Sequence, residues 1–420
     1  MTGRVALPLA LSASLLAACG DDDREPRPVE VETPPQRTYD DASMPRADLP
    51  LDETTWNELE MPLPQVGTDT GDDGIIYSAA LAGYYLLRVQ KPSGRFGYSY
   101  DPRTGEFDDN DLIHRQVVAA LALARLMRVT GRPEFRLATA AALSSFLTAT
   151  EPSGDGIYLH DLGATALLAM TLTAYARHTG SDDHDSAIDA VGAFLLPFVE
   201  DDGSVTAGGT LQWAQLHLAF WRLHAHTGDV AYLDAVERLG RYHHERMGQF
   251  SVFEFPYLYG LWAHEPLTGL YDLRGGEWIP ELIFWVADHT TERQYLADWI
   301  APAHWVGGYH PNSGNRGPNW NSTIKLEAVI DAYPMAVRVG DTRRAERYRT
   351  SAILGAQFLV RWQVHASAAL GVPEVKYAIG GIPLFMDDPR IRIDIPGHGL
   401  VALTKVAERL DLEDFPGEGH

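Results

Sequence analysis

The chain has 420 residues, enough for two to four domains of about 100–200 residues each or for one large repetitive domain. Its 45% hydrophobic content supports a sizeable core, and its net charge of −23 repels phosphate backbones and so disfavours nucleic acid as a partner. A single cysteine, at position 19, excludes disulfide frameworks and paired-cysteine zinc or redox sites.

That cysteine closes the opening stretch MTGRVALPLALSASLLAACG. Arg4, an apolar run from Val5 to Leu16 and small residues before Cys19 have the order of a secretory signal over residues 1–18, too short for a spanning helix. The tail Leu16-Ala17-Ala18-Cys19 resembles the lipobox of bacterial lipoproteins. The resemblance implies acylation of Cys19 and a lipid anchor in the cell envelope. Gly20, where an aspartate would favour the inner membrane, points to the outer one.

From Gly20 to Glu60 there are 13 acidic residues, 4 arginines and 6 prolines with little apolar periodicity, so residues 19–60 read as an acidic tether. The tether carries about −9 of the charge, and removing Arg4 with the signal leaves about −15 for the domain expected over 61–420.

Beyond the tether apolar residues recur at helical spacing, and five segments end and restart alike: ALARLMRVTGRPEF, TLTAYARHTGSDDH, AFWRLHAHTGDVAYL, FWVADHTTERQYL and PMAVRVGDTRRA. Their turns fall at Gly131, Gly180, Gly228, Thr291 and Gly340, spaced by 49, 48, 63 and 49 residues. Helices before the turns, such as Asp111–Thr130 and Asp161–Thr179, are apolar nearly all round and belong inside. Those after the turns carry one apolar stripe, such as Ile188, Val191, Phe194, Leu195 and Phe198, and belong outside. Five hairpins leave a helix over 74–90 and one over about 397–410 to pair as a sixth and close a ring. The expected fold is therefore all-α, an (α/α)6 toroid of six helical hairpins. A 34-residue helical solenoid repeat does not fit the period.

Connections between hairpins are expected at about 91–110, 151–160, 200–211, 248–277, 300–321 and 363–396, all at one end of the ring, where binding and chemistry gather. They are rich in aromatics, Tyr257 and Trp320 among them, and Trp213 opens a neighbouring inner helix.

With this period and aromatic face, the chain from about Asp73 to Leu410 resembles the six-hairpin glycosidase superfamily. That group includes N-acylglucosamine 2-epimerases, cellobiose 2-epimerases, unsaturated glucuronyl hydrolases and the helical domain of glucuronyl C5-epimerases. The resemblance implies an oligo- or polysaccharide partner, with aromatic rings stacked on sugar faces and polar groups on hydroxyls.

Two segments align, His114-Arg-Gln-Val-Val-Ala-Ala-Leu and His398-Gly-Leu-Val-Ala-Leu, each at the start of an inner helix and preceded by acidic residues. Such a histidine pair has the proton affinity for general acid–base work, and the resemblance implies that use. Arg115 and Arg392 would grip a substrate carboxylate or hydroxyls, or else pair with neighbouring aspartates such as Asp394. Glycoside hydrolysis instead needs two carboxylates, to be chosen from Asp111, Asp161, Glu254 and Glu281. As a helix start, Asp111 or Asp161 equally suits a cap. Asn321 and Lys325 open a further inner helix, where the lysine suits an anionic sugar.

The sequence lacks a nucleophile elbow, a P-loop, a dinucleotide fingerprint and a zincin motif, so neither cofactor nor metal is expected. Hydrolysis, epimerisation and lyase chemistry stay open, beside a non-catalytic glycan-binding or scaffold lipoprotein on the same ring.

Overall fold

The computed structural model describes residues 72–108, 110–252, 255–298, 301–311, 317–365, 369 and 371–410. The signal segment, Cys19, the tether and Glu254 lie outside the described residues. Twelve α-helices follow in order: α1 Asp72–Val89, α2 Ile113–Thr130, α3 Pro133–Thr148, α4 Leu162–Thr179, α5 Asp185–Leu195 and α6 Thr210–Thr227, then α7 Val230–Arg246, α8 Phe255–Arg274, α9 Trp278–Thr291, α10 Asn321–Arg338, α11 Thr342–Trp362 and α12 Asp394–Arg409. No helix among the described residues is long and apolar enough to cross a membrane.

Each even-numbered helix packs against the even-numbered helices before and after it, and α12 packs against α2, so these six form a closed inner ring. The odd-numbered helices lie outside, and α12 pairs with α1 as the sixth hairpin. The result is an (α/α)6 toroid. Burial follows the sequence patterns. In α4 all residues from Leu162 to Thr173 are buried, whereas α5 buries Ile188, Val191 and Leu195 on one side.

Four of the expected turns stand where expected. Gly131, Gly180, Gly228 and Gly340 take left-handed backbone with φ of 65°, 67°, 75° and 69°. The fourth turn in the chain does not lie at Thr291, which ends the outer helix α9. It is Gly275-Gly276, with φ of 70° and 116°, and the spacings become 47 and 65 residues instead of 63 and 49. The cause is α8. It contains Gly260, Pro266 and Gly269, which propensity reads as a loop, so the stretch expected as the connection 248–277 is mostly helix. Tertiary packing overrides that reading: a Cβ on Gly269 would lie 2.2 Å from the Trp221 ring of α6, so only glycine allows this contact. The long insertion is the α9–α10 connection.

Short strands tie the connections together. β1 (Ser99–Asp101) pairs antiparallel with β2 (Glu106–Asp108) and with β5 (Ile391–Arg392), joining the first connection to the last. β3 (Glu151–Ser153) and β4 (Gly156–Tyr158) form a hairpin of their own.

A device absent from the sequence reading repeats three times. At the end of an outer helix a glutamine Nε2 donates to a loop glycine carbonyl and to a carbonyl of the next outer helix. Gln90 bonds Gly94 and Ala138 at 3.0 and 2.8 Å, Gln294 bonds Gly307 and Ser351 at 2.9 Å each, and Gln363 bonds Gly380 and Ser78 at 3.0 Å each. At Gly307 a Cβ would meet the Leu354 carbonyl oxygen at 2.1 Å. These clamps fix the connections onto a rigid scaffold, as a precise site requires.

Candidate functional site

Alternation of inner and outer helices brings the six inner-helix N-termini and the connections to one end of the ring. One turn into α12, His398 directs Nδ1 to Oε2 of Glu327, nearly two turns into α10, at 3.4 Å. Because a carboxylate only accepts, Nδ1 carries the proton and Nε2 is the nitrogen left for chemistry. The indole of Trp262 on α8 meets the His398 ring edge-on, 5.7 Å between centroids. Oε1 of Glu327 accepts from Lys405 at 3.1 Å.

A second histidine–carboxylate pair stands on the neighbouring inner helices. His114 Nε2 lies 2.9 Å from Asp161 Oδ1, poorly aligned for a straight hydrogen bond. Asp161 caps α4 by accepting from the Ala164 N–H at 2.9 Å. Burial would raise its pKa, but the His114 ring and that N–H outweigh burial and hold it below the usual carboxylate range. His160, at the unusual φ of 62°, sets its ring edge-on to His114 at 6.4 Å. Gly163 makes room for the pair, since a Cβ there would lie 2.7 Å from Gln215 Oε1 and 2.9 Å from His114 Nε2.

Between the two pairs, Arg392 forks onto Asp394 with bonds of 2.7 and 3.0 Å, and Arg115 Nε approaches the same carboxylate at 3.7 Å. The guanidiniums lie over Trp320 and Tyr98 at 5.4 and 5.3 Å. Of the two roles expected for these arginines, pairing with aspartate is the one observed. Burial alone would raise the Asp394 pKa, yet Arg392 and Arg115 lower it.

Lys325 is buried one turn into α10, donating from Nζ to the His310 carbonyl at 2.6 Å and lying 5.5 Å from the Tyr257 ring centre. Burial, with Arg293 nearby, brings its amine down to about 7. The lysine is thus enclosed, with proton affinity near neutrality, rather than a solvated cation.

Three expected residues stand outside the two pairs. Asp111 is 55% exposed, 3.6 Å from Arg95, and does not cap α2, whose cap position is Leu112. Glu281 lies in the first turn of the outer helix α9, 61% exposed, bonded to His244 of α7 at 2.8 Å on the outside of the ring. Its expected place at the mouth followed from a fourth turn at Thr291, which would have made this helix an inner one. Trp213 donates to the Ala207 carbonyl at 3.2 Å and packs on His243 of α7, so it faces the outer layer. Among the described residues the hydrolytic set therefore leaves Asp161 partly buried at the mouth and Asp111 exposed at its rim.

Sequence reading missed Glu327, whose signal was a carboxylate inside the buried stretch IKLEAVIDAY; Trp262 belongs to the aromatics expected at the mouth, but on helix α8 rather than in a loop. Buried polar atoms at this end of the ring, Gln215 Oε1 and Trp262 Nε1 beside the pairs, Tyr98 Oη under Arg115 and Asn321 Oδ1 at the start of α10, have no hydrogen-bond partner in the protein. Such atoms cost about 1–3 kcal/mol each unless a polar ligand or water meets them. No group of three or more His, Cys, Asp or Glu among the described residues is arranged to hold a metal ion.

No protein-family model matches the sequence, and no curated protein matches it. Solved structures do match the fold. An unsaturated glucuronyl hydrolase specific for heparin is 13% identical, over 81% of this chain and 100% of that one, with a TM-score of 0.59. A D-mannose isomerase is 12% identical over 81% and 97%, at 0.61. The cellobiose 2-epimerase of Spirochaeta thermophila is 15% identical over 80% and 97%, at 0.57. This chain has the six-hairpin toroid fold. Its structural neighbours are carbohydrate-processing enzymes of differing chemistry, and at these identities the likeness fixes architecture, not reaction.

Proposed function

We propose that the chain is a carbohydrate-active enzyme that isomerises or epimerises a reducing sugar by moving the proton on the carbon beside its carbonyl. The observation that carries this reading is the His398–Glu327 pair beside Trp262 at the ring mouth. Glu327 holds Nδ1 protonated and orients the ring, so Nε2 takes the C2 proton as general base. The electrons pass to the carbonyl oxygen, giving an enediolate; a proton delivered to C2 on the other face restores the carbonyl as the epimer, whereas passage of the O2 hydroxyl proton to O1 with a proton delivered to C1 gives the isomer. His114, paired with Asp161, supplies the opposing acid. Trp262 offers an apolar face to the sugar ring, and the unpartnered amide and indole groups meet its hydroxyls. Two-carboxylate hydrolysis draws less support, because Glu281 lies on the outside of the ring and Asp111, at the entry to α2, is exposed and paired with Arg95.

The N-terminal reading adds an address. Residues 1–18 direct export, acylated Cys19 anchors the chain to the outer membrane, and residues 19–60 tether the ring domain of 61–420. Labelling with a fatty-acid probe, lost in Cys19→Ala, tests this.

The catalytic reading is tested with purified protein and a panel of reducing mono- and disaccharides and unsaturated-uronyl oligosaccharides in D2O, followed by NMR. Deuterium entering C2 of a reducing sugar is the expected result. Cleavage of an oligosaccharide without C2 exchange would make the chain a hydrolase or lyase, and binding without turnover would make it a glycan-binding protein.

A further inference from the structure

Below His398 a column of buried charge runs along the ring. On α12, His398 and Lys405 are seven residues apart and so share one face two turns apart. On α10, Glu327 and Asp331 stand at i and i+4 and share the facing side. The side chains of Glu327, Asp331 and Lys405 are 2%, 1% and 3% exposed. Lys405 Nζ donates to Glu327 Oε1 at 3.1 Å and to Asp331 Oδ2 at 2.6 Å, and lies 4.0 Å from Glu265 of α8. Arg409 pairs with the other oxygen of Asp331, and Arg222 of α6 pairs with Glu265. Burial would raise the pKa of Glu265, but Arg222, Lys405 and Arg409 together hold it well below the usual carboxylate range.

Three carboxylates, Glu265, Glu327 and Asp331, meet the cations Arg222, Lys405 and Arg409, and Arg125 also acts on Glu265. Apolar residues of similar volume commonly stabilise a fold as well as a buried ion network does, so stability alone does not account for it. Its upper end is the carboxylate that holds His398.

We infer that Lys405 and Asp331 are positioning residues that set the proton affinity of His398 through Glu327. The inference rests on the reading of His398 as the acid–base group. Lys405 fixes one oxygen of Glu327 and leaves the other to His398, and its charge offsets part of the attraction that the carboxylate exerts on an imidazolium. Asp331 in turn offsets Lys405. The other groups around His398 are Trp262 from α8 and Asp394 on α12, with Arg392 and Arg115 against that carboxylate. None of them touches Lys405 or Asp331 in a hydrogen bond or ion pair among the described contacts.

The test is a pH titration of the His398 Cε1–H resonance in full-length protein labelled at histidine Cε1, assigned by its loss in His398→Asn. Removing the cation in Lys405→Met should raise the midpoint by about one pH unit, and removing the anion in Asp331→Asn should lower it. Lys405→Arg, which keeps the charge, should leave it within a few tenths of a unit. Opposite shifts from neighbouring buried sites are the signature of charge coupling, since a loosened fold moves both the same way. An unchanged midpoint in folded Lys405→Met or Asp331→Asn, or shifts of the same sign, overturns the inference. If Lys405→Met does not fold, the sign of the Asp331→Asn shift decides alone. The titration needs no substrate, so inactivity of the parent toward sugars would defeat the functional reading and leave this coupling standing or falling by itself. With an active parent, the acid limb of kcat/KM should follow the same shifts.

Discussion

Lowering the pH from 7 to 4.5 should strip the ring of much of its stability, because two histidines away from the mouth are buried as neutral rings. His264 on α8 donates from Nδ1 to the Ala328 carbonyl at 2.8 Å, and His243 on α7 does so to Leu239 at 2.7 Å. In both, the buried Nε2 has no partner in the protein, so a proton there would have no acceptor. Burial, the largest cause in each, brings both down to about 4 from 6.5.

Between those values the unfolded chain binds protons that the native chain refuses, so stability is full above about pH 6.5 and falls as the pH drops toward 4. At pH 4.5 each ring contributes a loss of about 2.5 kcal/mol, about 5 kcal/mol together. That is comparable with the whole stability of many folded proteins. His217, also buried and pushed well below its ordinary value, adds to the same trend. The carboxylates held below their usual range, Asp161 and Asp394, lose their contribution only below about pH 4, so the two effects separate. Thermal unfolding followed by circular dichroism at half-unit steps is the assay, with His264→Gln and His243→Gln each expected to flatten the curve. A melting temperature unchanged from pH 7 to 4.5 would refute the reasoning.

Gly163→Ala should displace His114 and Gln215, with a loss of turnover of tenfold or more and a melting temperature within a few degrees of the parent, both readily measured on one preparation. Trp262→Ala should weaken sugar binding by about 1 kcal/mol or more, raising the Kd roughly fivefold or more by calorimetry. Gln294→Ala leaves the Gly307 and Ser351 carbonyls without their donor and should cost about 1–3 kcal/mol in denaturant unfolding, with activity lost only as folded protein is lost.

The architecture was legible because its signals are local and periodic. Glycines such as Gly131 and Gly180 occupy a left-handed cap that other residues adopt only with strain, and the contrast between all-round apolar and one-sided helices reports two layers. Helix α8 was illegible for the complementary reason. Gly260, Pro266 and Gly269 carry loop propensity, and the packing that overrides it, such as Trp221 against Gly269, comes from a different helix. One misplaced turn then carried Glu281 into the expected site. The places of His114, Asp161, Lys325, Arg392, Asp394 and His398 were legible because each lies within the first turns of an inner helix or directly precedes one, a position that sequence reveals. Glu327 and Lys405 lie deeper, and only the meeting of α10 with α12 makes them partners. A buried charge on a helix reads as a solvated one until its partner across the ring is known.

The most direct test of the account is deuterium exchange at C2 of the best reducing sugar from the panel, compared between the parent, His398→Asn and Glu327→Gln. The account predicts steady exchange by the parent and a fall of about 10²–10⁴-fold in His398→Asn, with a smaller fall in Glu327→Gln as the ring loses its orientation. Undiminished exchange in folded His398→Asn would contradict it.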